Sequence, residues 1–166
     1  QAMEGIPLPE TLESDAAYWE RVSRENPDKA PKRENLYTAV DCRPVKRFDV
    51  FAPEPQPPER MIWMRANGKL PDDPVIHRCF FGYLSDLYFM STAMLPHALS
   101  WWRQNIQAAS LDHALWLHED ARADEWLLYV MESPRAAGSR GLNHGYLYTA
   151  EGKLIASTSQ EGLMRL

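Results

Sequence analysis

The residue that most needs a chemical explanation is Asp86, the single charged side chain in the apolar segment CFFGYLSDLYFMSTAM. On a helix, its neighbours three, four or seven positions away include Cys79, Gly82, Tyr83, Met90 and Ala93. None of these side chains carries a positive charge. A buried carboxylate without a partner is costly. Asp86 is therefore expected either to bond neutral donors as a structural acid or to lie beside a cavity that contains water.

Two uncharged candidates, Ser110 and Gln160, lie in later segments with strand-like composition. Strand alternation through IQAASLDHALWLH (106–118) places Ser110 on one face and His113 on the other. No GxSxG motif surrounds Ser110, so the sequence does not support a serine nucleophile. Gln160 alternates with small or apolar residues, which is typical of a core amide that finds internal partners.

Metal, cofactor and phosphate sites find little support. His113 and His118 are five positions apart in a predicted strand, hence on opposite faces, and no HExxH motif occurs. The stretch from Gly138 to Gly141 could form a backbone nest for a phosphate, but a hairpin turn explains it more simply. Cys42 and Cys79 form neither a CxxC pair nor a disulfide framework. The sequence predicts no metal, no cofactor and a reducing compartment.

The helices and strands that must position these residues are predicted to form an α+β fold. Residues 12–25 have the apolar spacing of a short helix, 36–45 and 47–51 favour strands, and the proline-rich APEPQPPE predicts an exposed loop. A strand over 61–66 precedes a buried helix of about 20 residues from Pro74 to Met94, capped by Asp72 or Asp73. Four strands then follow, over 106–118, 125–133, 141–149 and 153–165, the last two as a hairpin. A long antiparallel sheet against one buried helix is expected.

Composition limits the class of protein and the partners that it can bind. The 166 residues are 45% hydrophobic and 25% charged, enough for one folded domain with a tail and incompatible with overall disorder. A net charge of −5 without a lysine-rich run argues against binding nucleic acid or a lipid surface. The apolar runs are shorter than a membrane span, and no secretion leader is seen, so a cytoplasmic protein is expected.

Several stretches in order, WMRANGKLPDD, GYLSDLYF, SLDHALWLH, ADEWLLYVMESP, SRGL and ASTSQEGLMR, resemble the acyl-CoA thioesterase II family. The resemblance covers residues 36–166 and leaves 1–35 as a linker with a short helix. It implies a hotdog fold, an antiparallel sheet wrapped around a long central helix. It further implies that the chain is the second, C-terminal half of a double hotdog, paired with a first half in the same or a separate chain, or with a copy of itself. A eukaryotic source would make a peroxisomal location the alternative.

The same resemblance assigns roles to the three candidates. In such enzymes an Asp of the central helix, a Ser or Thr of the next strand and a Gln of the last strand hold and activate a water. By motif these are Asp86, Ser110 and Gln160, with acyl-CoA as the substrate and Asp86 as the base. The expected activity is hydrolysis of fatty acyl-CoA to fatty acid and CoA.

Two other functions remain as alternatives. A hotdog hydratase would carry a His five residues after the helix Asp, where this chain has Ser91. A non-catalytic acyl-binding or assembly domain could keep the fold without the acid, but Asp86, Ser110 and Gln160 are all present.

Overall fold

A computed structural model describes residues 3–28, 39–102 and 106–165. The described helices are α1 (Asp15–Glu25), α2 (Pro74–Leu84) and α3 (Phe89–Met94), with short 3₁₀ turns at Pro9–Thr11 and Leu95–His97. The strands are β1 (Val40–Pro44), β2 (Glu59–Ala66), β3 (Gln107–Ser110), β4 (Ala114–Leu117), β5 (Leu127–Ala137), β6 (Arg140–Thr149) and β7 (Leu154–Arg165). None of these helices is long and apolar enough to cross a membrane.

The strands form one antiparallel sheet in the order β1-β2-β5-β6-β7-β3, and β4 also pairs with β7. Short turns connect β5 to β6 and β6 to β7. Gly138 and Ser139 both have positive φ, of 60°, as a two-residue hairpin loop of the primed type requires. The hairpin interpretation of this stretch is therefore confirmed, as is the predicted β6–β7 hairpin.

The core lies between the sheet and helices α2 and α3. Helix α3 packs against β5, β6 and β7. Large side chains that are less than 2% exposed fill this layer, and they come from both the helices and the sheet: Ile62, Met64, Phe81, Leu84, Phe89, Leu127, Tyr129, Met131, Leu147 and Ile155. The α+β prediction is confirmed, because one apolar sheet face covers the apolar helices.

The predicted single helix from Pro74 to Met94 is wrong in its middle. Its start is as expected, since Asp73 caps α2 by accepting from Val75 N at 2.9 Å and Pro74 occupies the first turn. The helix ends at Leu84, and a turn over residues 85–88 separates it from α3. Tyr88 in this turn has φ 62°, a left-handed conformation that cannot continue a right-handed helix.

The predicted strand over residues 106–118 is also interrupted. Ser110 pairs with Gly162 and Ala114 with Ser159, so three residues stand opposite two on β7. The extra residue is a bulge. The Asp112 carboxylate holds it by accepting from Glu161 N at 2.7 Å. Because one extra residue reverses the alternation, Ser110 and His113 share a face, contrary to the prediction from uninterrupted alternation.

The amino-terminal segment contacts the sheet. Helix α1 packs beside β1, and Trp63 Nε1 donates to Pro7 O at 2.9 Å. Of the strand predicted over 36–45, the structure shows β1 from Val40 to Pro44. Residues 36–38 lie outside the described residues, and so does the domain boundary expected between 35 and 36. The strand predicted over 47–51 is wrong, and the proline-rich stretch before β2 is a loop as expected.

Candidate active site

Asp86 and Gln160 meet where the turn between α2 and α3 faces the interrupted edge of the sheet. Gln160 Nε2 lies 2.7 Å from Asp86 Oδ1 and 3.0 Å from His113 Nδ1. These residues come from the interhelical turn, from β7 and from the bulge between β3 and β4. The two N–H groups of one amide thus have two acceptors, and the carboxylate has a neutral donor in place of a cation.

The hydrogen bonds fix both the amide orientation and the imidazole tautomer. The opposite amide orientation would put Gln160 Oε1 against a carboxylate oxygen, so the Nε2 assignment is the favourable one. His113 Nδ1 then accepts. Its Nε2 lies 2.8 Å from Ser85 Oγ, whose hydroxyl donates to Gly82 O, and therefore carries the proton. His113 is the neutral Nε2–H form in this arrangement.

Tyr129 of β5 holds the turn that carries Asp86. The Tyr129 hydroxyl donates to the Ser85 carbonyl at 2.7 Å. Burial, with a smaller contribution from the Asp86 charge, raises the pKa of Tyr129 well above its usual value. The phenol therefore stays protonated and keeps this hydrogen bond at working pH.

Ser110 lies near this group but makes no side-chain hydrogen bond within the part of the chain described here. It pairs with Gly162, two residues from Gln160 on β7, and cross-strand partners share a face. A Cβ at Gly162 would meet the Met90 side chain, so this face looks toward α3. The structure thus places Ser110 on the same face as Gln160, without bonding it to Asp86 or Gln160.

Exposure differs sharply across the candidates. Gln160 is only 1% exposed, whereas Asp86, Ser110 and His113 are exposed. The expectation of a buried Asp86 is therefore wrong, because Asp86 belongs to the turn after α2 instead of the middle of a helix. Asp86 and Ser110 are therefore accessible to solvent, whereas the Gln160 amide is enclosed by the protein.

Sequence reasoning missed His113, Ser85 and Tyr129 as parts of this site. His113 lies in the SLDH stretch, but uninterrupted alternation assigned it to the wrong face. The available signal was Asp112, since a short acidic side chain in a strand bonds nearby backbone and interrupts the ladder. Ser85 and Tyr129 gave no separable signal in the sequence.

Gly145 allows the support under the turn to pack, and Gly145→Ala tests it. A Cβ there would lie 2.5 Å from Tyr129 Cε2 and 2.6 Å from its hydroxyl oxygen. We expect the variant to lose about 1–3 kcal/mol of unfolding free energy, as overpacked cores do, because Tyr129 must move. Urea unfolding measures this loss.

The matched control is Gly82→Ala, where a Cβ would meet nothing within 4 Å and the position is helical. It should be neutral or slightly stabilising. A Gly145→Ala protein as stable as the parent would contradict the packing account.

Known structures place this architecture in a class. The structure aligns with an acyl-CoA thioesterase II from Mycobacterium marinum at a TM-score of 0.74 and 39% identity, covering 99% of this chain and 56% of that one. A hot dog fold protein from Alicyclobacillus acidocaldarius aligns at a TM-score of 0.69 and 16% identity, covering 100% of this chain and 55% of that one. The antiparallel sheet with α2 and α3 packed against it is a hotdog fold, as the resemblance implied.

The sequence comparisons identify the family. Residues 32–163 match the acyl-CoA thioesterase family, and the chain belongs to it. It is similar to human acyl-coenzyme A thioesterase 8, 40% identical over 129 residues, covering 76% of this chain and 40% of that protein. It is also similar to acyl-CoA thioesterase 2 of Haemophilus influenzae, 29% identical over 163 residues, covering 98% of this chain and 57% of that protein. The chain thus spans about half the length of these relatives.

Proposed function

We propose that this chain supplies the catalytic site of an acyl-CoA thioesterase, in which Asp86, Ser110 and Gln160 hold a water that attacks the thioester: Asp86 and Ser110 contact this water, and Gln160 holds it through its hydrogen bond to Asp86. The water oxygen bonds to the thioester carbonyl carbon while Asp86 accepts a proton from it. The C–S bond then breaks, and CoA leaves as the thiol after taking up a proton. The products are one carboxylic acid and one CoA per water consumed.

The observation that carries this proposal is the Gln160 amide that bridges Asp86 and His113, at 2.7 and 3.0 Å. A thioester is electrophilic enough for a positioned water to attack it, provided a carboxylate accepts the proton. One Asp86 oxygen is taken by Gln160, which fixes the carboxylate plane and leaves the other oxygen for the water. Family membership supports the same substrate class.

Ser110 is proposed to orient the water and to form no bond with the acyl group. Its position, on the face shared with Gln160, suits a hydrogen bond to a water beside Asp86. The histidine of the site bonds Gln160 and Ser85, so we expect no base for Ser110 among the described residues.

Ser110→Thr and Ser110→Ala test this role. The threonine keeps the hydroxyl and should stay active. The alanine should lose one positioning hydrogen bond, so kcat should fall by an amount equivalent to about 1–3 kcal/mol. Initial rates of thiol release measure both variants. An acyl adduct trapped on Ser110 of the parent protein would instead indicate a serine nucleophile.

A second hotdog unit is proposed to complete the site. Exposed apolar side chains lie on α2, at Val75 and Tyr83, and along the β3–β4 edge, at Leu111, Trp116 and Leu117. Exposed edge strands and apolar patches of this kind are usually covered. The candidate residues open onto the same edge, so a covering unit would also enclose the acyl chain in a dry channel.

We therefore expect residues 1–166 to associate, either with a copy of themselves or with the other half of a double hotdog, through an interface above ~1,000 Å². Sedimentation at micromolar concentration, run with and without that other half, measures the association. A folded monomer that hydrolysed acyl-CoA at the full rate of the assembly would contradict both the assembly and the shared channel.

A thiol-release assay on acyl-CoAs of varied chain length tests the function itself, on this chain alone and with the other half. Hydrolysis that depends on Asp86 supports a thioesterase. Acyl-CoA binding with no thiol release in either assembly would reject the enzyme in favour of a non-catalytic acyl-binding or assembly domain.

A further inference from the structure

Asn143 is a fully buried amide within β6. It lies in β6 with 0% exposure, and neither Nδ2 nor Oδ1 has a hydrogen-bond partner among the described residues. Gln160, 1% exposed, has the same feature at Oε1. Each buried polar atom left unpaired costs about 1–3 kcal/mol, so three such atoms call for an explanation.

These three atoms belong to neighbouring side chains. Asn143 is the direct register partner of Gln160 across β6 and β7, and such partners share a face with their Cβ atoms close together. The positions on either side of Asn143 on that face are Gly141 and Gly145. A Cβ would meet Ala93 of α3 at the first and Tyr129 at the second. Asn143 therefore lies in the layer between sheet and helix, on the same inner face as Gln160.

We propose that Asn143 and Gln160 bind an internal water between β6, β7 and α3, and that Asn143 acts through it as a positioning residue for Gln160. Asn143 Nδ2 can donate, and Asn143 Oδ1 and Gln160 Oε1 can accept. These three atoms suit a buried water that makes two to four hydrogen bonds. The role in catalysis rests on the proposed function.

The consequence concerns which end of the Gln160 amide faces Asp86. Rotation of the amide by half a turn would bring Oε1 against the carboxylate and remove both N–H bonds, to Asp86 and to His113. The water donates to Oε1 on the side away from Asp86, and Asn143 holds that water in place. The donor end of the amide is thereby kept on the reacting side.

Asn143→Leu tests this role, because leucine has a similar size and offers no hydrogen bond. We expect kcat to fall about tenfold with KM unchanged, the effect of one lost hydrogen bond on a barrier. Asn143→Ser, which keeps a donor and an acceptor, should restore most of kcat. Leu147→Val is the matched control, since Leu147 is a buried residue on the same face of β6. It should lower the melting temperature without changing kcat.

A second readout does not depend on catalysis. Nuclear Overhauser cross-peaks between a bound water and the Asn143 side-chain amide, which lies away from the water proposed beside Asp86, are expected in the parent protein. Unchanged kcat in a folded Asn143→Leu protein, or parent spectra without these cross-peaks, would overturn the inference. Cross-peaks in a parent protein that hydrolyses no acyl-CoA would reject the proposed function and leave the water site standing.

Discussion

Asp86→Asn is expected to lower kcat for acyl-CoA hydrolysis by at least ~100-fold, the usual scale for removing a general base, while the protein stays folded. The asparagine can still bond Gln160 after an amide rotation, but it cannot accept the proton of the attacking water. Asp86 is exposed in the turn between α2 and α3, so its replacement leaves no buried group unpaired. Thiol release measures the rate, and circular dichroism confirms the fold.

The control for this variant is Asp120→Asn, which removes an exposed acid paired with Arg78 on the surface. It makes the same charge change and should leave kcat within twofold of the parent, as surface substitutions usually do. A folded Asp86→Asn protein with near-parental turnover would rule out Asp86 as the base.

Gln160→Glu should have an effect of similar size, because it keeps the side-chain shape and removes both donors. Asp86 and His113 Nδ1 would each lose the N–H that now reaches them, and two carboxylates would face each other. Misplacing a reacting group by about 1 Å can cost ~100-fold, and we expect a kcat loss of that order. Steady-state kinetics over a range of acyl-CoA concentrations measures it.

The control is Ser157→Ala, an outward position of β7 three residues from Gln160, where the hydroxyl pairs with His118 at 2.9 Å. This change alters the same strand without touching the site and should keep kcat. If Gln160→Glu retained the parental kcat, Gln160 would have no part in holding the base or the water.

The element order and the start of the central helix could be predicted because they depend on local chemistry. Asp73 followed by Pro74 marks the start of α2, and the alternating runs mark β5 to β7. The end of α2 could not be read in this way. The turn after it is held by the Tyr129 hydroxyl, which comes from a position 44 residues away. A long-range contact of this kind overrides the helical preference of an apolar segment.

In the candidate site, too, the features that depend on long-range contacts could not be predicted from local patterns. Asp86 and Gln160 are 74 positions apart, and no spacing rule connects them. Only the family resemblance put them together in advance. His113 was misplaced because the bulge depends on Asp112 bonding the backbone of β7, 49 residues away. One extra residue was enough to move a side chain from one face of the sheet to the other.

The most direct test of the central claim is the mass of the intact enzyme measured during turnover, together with the CoA thiol and fatty acid released. Direct attack by a water held at Asp86, Ser110 and Gln160 predicts one thiol released per fatty acid formed, with the enzyme mass unchanged throughout. Accumulation of an acyl adduct on Ser110 would contradict the mechanism, and the absence of thiol release by every assembly tested would contradict the function.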